Sequence, residues 1–496
     1  MKKISHILLI ALFTIGATSC RKSFLDVNNN PNQTTSASYQ LVLPAALNST
    51  AYYVTTGNEF ANYWMGTWAI SNSYVPISTE ITFTFSNAYH QDRWSGFYYS
   101  INNFNYIDQA ATASSDYFYA GIAKAMKVYC YQNLVDIYGN IPYSQALQIS
   151  SYPRPKYDAD TAIYASLFKQ LDSARTLINN WNADLTPAPT ETSDIMFSGS
   201  NSLWLKFINT LELRMLLRFT NIAKPAYYDA ELSIVNNDAN GFLGVGESAL
   251  SNPGYSSSAD AKLNPFYAAY GYNAAGNVTD NYGYYRANAY AIDFYNSNND
   301  PRIGFFYAAN ALGNFAGNDF GVQGTAANKD ISGIGISSST QIGIIDKPSQ
   351  SSPILTSFES LFLQSEAVQR GLISGDLKEL YKSALQESFA YCGLTKTDAT
   401  TYYSQSSDLV NIDSTADPLK TILTQKWASI NAINPLEVYA DYRRTKIPAD
   451  LPGSKAKSAG AIPLRLLYPQ TEISTNPDNV KAQGGINIYS KIFWVK

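Results

Sequence analysis

The chain is poor in the side chains on which many enzymes and metal proteins rely. Its 496 residues hold 2 histidines and 3 cysteines. A metal site built from several histidines is thereby excluded, and a Ser-His-Asp relay would have to use His90 or the near-terminal His6. A histidine so isolated reads as structural. No GxxxxGK[ST] phosphate loop occurs. Charged residues make up only 15% of the chain, 35 Lys+Arg against 39 Asp+Glu, for a formal charge of −4. Without a basic stripe to neutralise phosphates, nucleic acid is not an expected partner. Beyond residue 20 no apolar run reaches the ~18 residues of a membrane-spanning helix. No motif calls for a cofactor, and bound calcium is left open.

What is present begins at the N-terminus. Lys2 and Lys3 precede an apolar stretch from Ile7 to Ile15, then Ala17-Thr18-Ser19-Cys20. Two positive charges, a short apolar core and small residues before a cysteine form a bacterial lipoprotein signal. Residues 1–19 read as the signal peptide, Cys20 as the lipidation site and residues 20–37 as a lipidated tether. Each buried methylene adds about 0.8 kcal/mol, so several acyl chains would anchor the protein firmly. A plain secretory signal with a coincidental cysteine is the alternative. Ala17 stands where such signals more often carry leucine. With Cys20 acylated, Cys130 and Cys392 remain; Cys130 lies in a helical pattern and reads as a small buried residue. A Cys130–Cys392 disulfide stays open for an oxidising compartment.

Aromatic residues are the surplus: 38 Tyr, 23 Phe and 7 Trp. Many of the tyrosines stand among Asn, Ser and Gly and read as loop surface, where a flat ring with a polar tip suits polar ligands or partner proteins. Helical spacing predicts a helix over 38–57. It predicts another over 117–138 through Ile122, Met126, Tyr129, Asn133 and Ile137, ended by Gly139 and Pro142. Others fall over 161–179, and over 202–222 with Ser202 as N-cap. Residues 64–97 read as largely irregular. Residues 223–352 form a loop-rich insertion, interrupted by a helix over 287–296. Thr356 with Glu359 reads as a capping box opening a helix to Arg370, and Asp376 with Glu379 opens one to Tyr391. Further helices are predicted over 418–430 and 435–443, and the end, 461–496, reads as Pro-rich and then extended. Consecutive antiparallel pairs of this size predict a mainly α fold of tetratricopeptide-like helical hairpins, with long irregular aromatic-rich loops on one face.

Several segments together carry a resemblance. They are FLDVNNNPN (Phe24–Asn32), LVLPAAL (Leu41–Leu47), YGNIPYSQAL (Tyr138–Leu147), FKQLDSA (Phe168–Ala174) and WLKFINTLELRMLLR (Trp204–Arg218). They continue with SLFLQSEAVQRG (Ser360–Gly371), QKW (Gln425–Trp427), DYRRTKIP (Asp441–Pro448) and IPLRLLYPQTE (Ile462–Glu472). Through them the chain resembles the SusD/RagB-like outer-membrane lipoproteins, most closely the SusD-like-2 branch. The resemblance implies one nutrient-binding domain over 38–496, anchored at the outer membrane and facing outside. It also implies a TonB-dependent β-barrel transporter as partner, with a glycan, or a peptide in some branches, as ligand.

The motifs that carry this resemblance read as scaffold, so ligand groups must be sought elsewhere. Sugars need flat apolar platforms with amides and carboxylates around the hydroxyls. Candidate platforms are Trp64, Trp68 and Tyr74 in the first irregular region and Tyr282, Tyr284 and Tyr285 in the second. Arg286, Asn72, Asp280 and Asn281 are candidate hydrogen-bonding groups. The other reading makes these rings loop-core packing. Glu212, Arg214, Arg218 and Glu366 are read either as a partly buried network between hairpins or as solvated charges worth ~0–1 kcal/mol per pair. Arg443 and Arg444 read either as clamps on a carboxylate or a carbonyl-rich loop end, or equally as facing solvent. No enzyme is expected, because no recognisable motif surrounds a pair of acids. The alternatives are a transporter lid with little ligand affinity of its own and, more remotely, a glycoside hydrolase.

Overall fold

A computed structural model describes residues 37–495. The signal segment, Cys20 and nearly all of the tether therefore lie outside the described residues. Numbering the helices of ten or more residues, the frame is α1 (Tyr39–Thr55), α2 (Asp92–Ala113), α3 (Tyr117–Tyr138), α4 (Asp160–Asn179), α5 (Asn201–Leu217) and α6 (Tyr228–Asn237). Then follow α7 (Ser357–Gln369), α8 (Leu377–Tyr391), α9 (Pro418–Ser429) and α10 (Pro435–Thr445). Helices adjacent in sequence pack as hairpins, α2 on α3, α3 on α4 and α7 on α8, as the tetratricopeptide-like reading predicts. Strands are short two-stranded ribbons: β1 (Trp68–Ile70) with β5 (Tyr285–Ala287), β2 (Ile141–Pro142) with β3 (Tyr157–Asp158), and β4 (Ala249–Ser251) with β6 (Ser352–Leu355).

The centre of the frame is α3, buried on nearly every face because α2, α4 and α5 all pack on it. Gly139, at φ +71°, ends it and turns the chain into β2. A second, smaller core lies between α7 and α8, where Phe362, Tyr381, Leu385 and Phe389 meet Tyr402 and Ile422. Cys130 and Cys392 are both buried and free, so they do not pair; Cys130 packs beside the Thr50 hydroxyl. His90 is half-buried and packs against Phe60 and Tyr89, the structural role expected of it.

Several sequence readings need correction. Helix α2 begins inside the stretch read as irregular. Its Gly96, Ser95, Ser100, Asn102 and Asn103 are poor helix formers, but Trp94, Phe97, Ile101, Phe104, Ile107 and Ala111 make one buried face. Gly96 permits the close approach to α1: a Cβ there would lie 2.2 Å from the Tyr53 ring. Helix α5 is capped by the Ser200 hydroxyl on the Leu203 amide rather than by Ser202. Residues 223–352 hold α6 and several shorter helices besides Ala289–Ser297, and the C-terminal end carries Gln470–Thr475 and Pro477–Lys481. Not all tyrosines of this region lie at the surface: Tyr270, Tyr295 and Tyr307 are buried, and the Tyr295 and Tyr307 hydroxyls donate to the carbonyls of Ala428 (2.7 Å) and Thr67 (2.8 Å).

Between the hairpins lies a buried ionic network. Arg444 clamps both oxygens of Glu366 (2.5 and 2.8 Å) and reaches Asp441 (2.7 Å). Arg218 joins Asp136 (3.1 Å) to Glu437 (2.6 Å), and Lys426 bridges Glu437 and Asp441, each at 2.8 Å. Arg214 meets Glu359 at 3.3 Å and donates to the Gln132 side-chain carbonyl. Arg443 donates to the backbone carbonyls of Asp136 and Leu464, with its guanidinium 3.8 Å above the Tyr439 ring centre. The two clamp readings therefore both hold, Arg444 on a carboxylate and Arg443 on carbonyls. Two readings do not. Glu212 stands outside this network and pairs with Arg175. Thr356 caps α7, yet the Glu359 carboxylate turns away from the cap to Arg214 and Asn434.

Burial pushes the Glu366 carboxyl upward, but Arg444 first, then Arg370 and Lys426, hold it down at about 2. Its contribution to stability is thus present above the ordinary carboxylate range and is lost as pH falls from about 5 toward 2. Glu366→Gln should cost about 3–5 kcal/mol at pH 7, because Arg444 loses its charged partner in the core. The penalty should shrink toward pH 2; urea unfolding midpoints of both proteins at pH 7 and pH 3 check this.

Candidate ligand-binding surface

The β1–β5 ribbon joins the two aromatic segments singled out in the sequence. It is antiparallel, with Trp68 opposite Ala287, Ala69 opposite Arg286 and Ile70 opposite Tyr285. Arg286 is its buckle. Its guanidinium donates to the carbonyls of Tyr282 (2.7 Å) and Tyr285 (2.9 Å) and to the Asn328 side chain (2.8 Å), which also accepts from the Ser71 hydroxyl (2.7 Å). Asn72 is heavily engaged: its amide donates to the Ala326 carbonyl, and its oxygen accepts from Asn318 (2.7 Å) and the Gly324 amide (2.8 Å). Arg286 and Asn72 therefore hold loops together through most of their polar atoms.

Trp64 and Trp68 are also corrected. Both are fully buried. Trp64 packs among Phe60, Phe85 and Tyr439, and Trp68 lies between Tyr270 (5.1 Å between ring centres) and Tyr285 (5.2 Å). Neither presents a face to a ligand; Trp68 supports Tyr285 from beneath. An apolar run read as surface platform is here one layer too deep, a distinction that depends on tertiary packing.

What reaches solvent is narrower. Tyr74 is 40% exposed, Val75 81% and Ile77 58%. The Tyr74 ring meets Tyr284 edge-to-face at 5.1 Å, and Tyr284 meets Tyr285 at 5.1 Å. Tyr282 lies over Tyr272, ring centres 6.4 Å apart and 22° from parallel. Gly283 admits Tyr74 to this position, since a Cβ there would stand 3.3 Å from its hydroxyl. Asp280 and Asn281 are exposed beside the rings, with Asn281 anchored on the Ala269 carbonyl. The Tyr284 hydroxyl is buried without a hydrogen-bond partner. The arrangement is a half-exposed tyrosine surface with a carboxylate and an amide at its edge, suited to stacking on flat apolar faces and bonding hydroxyls.

Beneath it lie two carboxylates. Glu80 is buried and accepts from the Tyr89 hydroxyl at 2.9 Å; Glu59 accepts from Tyr270. Burial pushes Glu80 up to about 7, with Glu59 adding and the Tyr89 bond opposing. A second opening, a cleft of about 520 Å³, lies between Tyr290, Asp293 and Phe294 on one side and Lys420, Thr424 and Asp450 on the other. The sequence reading missed this cleft, because its walls come from segments more than a hundred residues apart whose partners no local pattern identifies.

Taken together, a helical-hairpin frame with aromatic loops clasped at one surface defines a scaffold of the binding-protein class. The family model described as starch-binding associating with outer membrane matches residues 29–469, and the chain belongs to that SusD-like 2 family. Among solved structures it is similar to a chitin-binding SusD homologue from Flavobacterium johnsoniae, with 20% identity, coverage of 92% of this chain and 98% of that one, and a TM-score of 0.75. A SusD homologue from Bacteroides fragilis gives 20% identity, 92% and 99% coverage and a TM-score of 0.74. One from Bacteroides uniformis gives 20%, 93% and 100%, and 0.73. No curated protein sequence matches the chain significantly. Among the described residues, no helix is long and apolar enough to cross a membrane.

Glu80 supplies a test of how closed the layer beneath the rings is. A carboxyl whose folded pKa is raised favours folding at low pH and withdraws that support as pH rises through about 7. Glu80→Gln keeps an acceptor for Tyr89. It should match the parent near pH 4.5 and exceed it by up to about 3 kcal/mol at pH 8, read from unfolding curves at the two pH values.

Proposed function

We propose that this protein captures an oligosaccharide on the Tyr74, Tyr282 and Tyr284 surface and delivers it to a TonB-dependent β-barrel transporter. The observation that carries this reading is the convergence of two distant aromatic segments into one half-exposed surface held by Arg286, Asn72 and Asn328. Tyr285 and Trp68 support the rings from below, and Asp280 and Asn281 supply polar contacts at the edge. The family's description as starch-binding, and a structural relative described as chitin-binding, favour a glycan over a peptide. Binding needs no covalent step. Glu80, beneath these rings, is buried and engaged by Tyr89, and Asp280 is the carboxylate exposed at their edge, so among the described residues no pair of carboxylates faces across the surface as a hydrolase would need. In this reading residues 1–19 are removed, Cys20 is acylated, residues 20–37 form the tether, and the binding domain faces outside the cell.

Two experiments separate capture from a lid role. Isothermal titration with malto- and chito-oligosaccharides should give a measurable Kd for one series, weakened about tenfold or more by Tyr284→Ala or Tyr74→Ala (~1.4 kcal/mol). Trp68→Ala should instead lower thermal stability, by about 3–5 kcal/mol. No binding to either series, with the barrel still co-purifying, would support the lid. Separately, Cys20→Ala should abolish palmitate labelling and release the protein from the outer-membrane fraction.

A further inference from the structure

Away from the aromatic surface, three scaffold helices converge on an acidic cluster. Asp172 comes from α4, Glu212 from α5 and Glu231 from α6, and one oxygen from each lies within 4.8 Å of the others. Glu212 and Glu231 are buried, and Asp172 is half-exposed at the edge. Asp238, at the end of α6, adds a fourth carboxylate. Arg175 faces all but Glu231 directly: it bonds Asp172 at 2.8 Å, Asp238 at 3.2 Å and Glu212 through the oxygen nearer to it. Lys169 acts on Glu231 from further off. Four carboxylates thus face one contacting guanidinium and one remote ammonium.

The excess is visible in individual atoms. Glu212 Oε1 and Glu231 Oε2 are both buried and accept no hydrogen bond. A buried carboxylate oxygen without a donor is strongly unfavourable, and buried charges are normally paired or bound to metals. Burial raises Glu212 to about 8 against the pull of Arg175. It raises Glu231 to about 7, with Asp172 adding to the effect. The donor set is oxygen only, which selects hard cations. Calcium accepts carboxylate oxygens at about 2.3–2.6 Å, so oxygens on opposite sides of one ion lie ~4.8 Å apart, whereas magnesium at about 2.0–2.1 Å needs a tighter cage.

We propose that Asp172, Glu212 and Glu231 bind a calcium ion that ties α4, α5 and α6 together. Asp172 provides the entry side, where water completes the coordination. Arg175 neutralises the far oxygen of Glu212 and fixes the carboxylate's orientation. The site is independent of the glycan surface and of the reading given to it.

The test is a thermal melt of the full-length protein in detergent, stripped with EDTA and then titrated with calcium chloride or magnesium chloride at pH 7.5. Calcium should raise the melting temperature by about 3 °C at a hundredfold excess over Kd, and magnesium by less. Glu231→Gln should abolish the calcium response while melting no lower than the parent in EDTA, since it removes an unpaired buried charge. Asp172→Asn, at the exposed edge where folding is least at risk, should weaken the response at least tenfold in calcium concentration. Absence of a calcium response in the parent at millimolar concentration would overturn the proposal. So would a response retained in full by both variants, which would place the ion elsewhere.

Discussion

The rest of the structure depends on the pairing of charges in its interior. Asp136, Glu359, Glu366, Glu437 and Asp441 meet Arg214, Arg218, Lys426 and Arg444 with essentially no solvent between them. Each ion taken from water carries a penalty of several kcal/mol, recovered only when geometry and additional hydrogen bonds are good. That condition fixes how the helices seat. If α10 slid by one turn relative to α7, Arg444 would leave Glu366; if α5 rotated, Arg218 would leave both Asp136 and Glu437. Apolar packing alone tolerates such shifts, because one leucine ridge resembles the next. The ionic network therefore acts as a register device, and it spans helices of both the N-terminal and C-terminal hairpins.

This also explains which parts of the fold were legible in the sequence. Helices α3, α7 and α8 combine an apolar stripe with a terminator or cap, α4 carries the stripe alone, and their bounds follow from local pattern. Helix α2 was hidden because local propensity opposes it, and only packing against α1 and α3 stabilises it. The charged residues were legible by type: of the two readings open for Arg443 and Arg444, clamp and solvent-facing, the clamp holds. Their partners were not, because Glu366 lies 78 residues away and nothing in sequence connects the two. The same limit put Glu212 in the wrong network, although its helix had been located.

The candidate surface shows the limit at finer scale. Aromatic density at 64–74 and 282–285 marked two segments that do meet in space. It did not say which rings face out. Trp64 and Trp68 sit on a short helix and a buried strand whose surroundings are set by Phe85, Tyr270, Tyr285 and Tyr439, all remote in sequence. Alternation along a three-residue strand is too short a signal to distinguish inside from outside.

A binding surface made of loops faces an entropic problem, since ordering them on contact would subtract from affinity. Here the ordering is already achieved within the protein. Asn72, Arg286, Asn318 and Asn328 tie the loops to one another through side-chain to backbone bonds, and the β1–β5 ribbon fixes the register of Tyr285 over Trp68. Tyrosine suits such a place because it has few rotatable bonds and a large face, so in the proposed capture of a glycan little freedom would remain to be lost. Asn72 and Arg286, which resemble ligand groups in sequence, use most of their hydrogen bonds in holding the rings still. In the proposed reading, specificity falls to the few groups at the edge, Asp280 and Asn281 among them, and to the shape of the tyrosine surface itself.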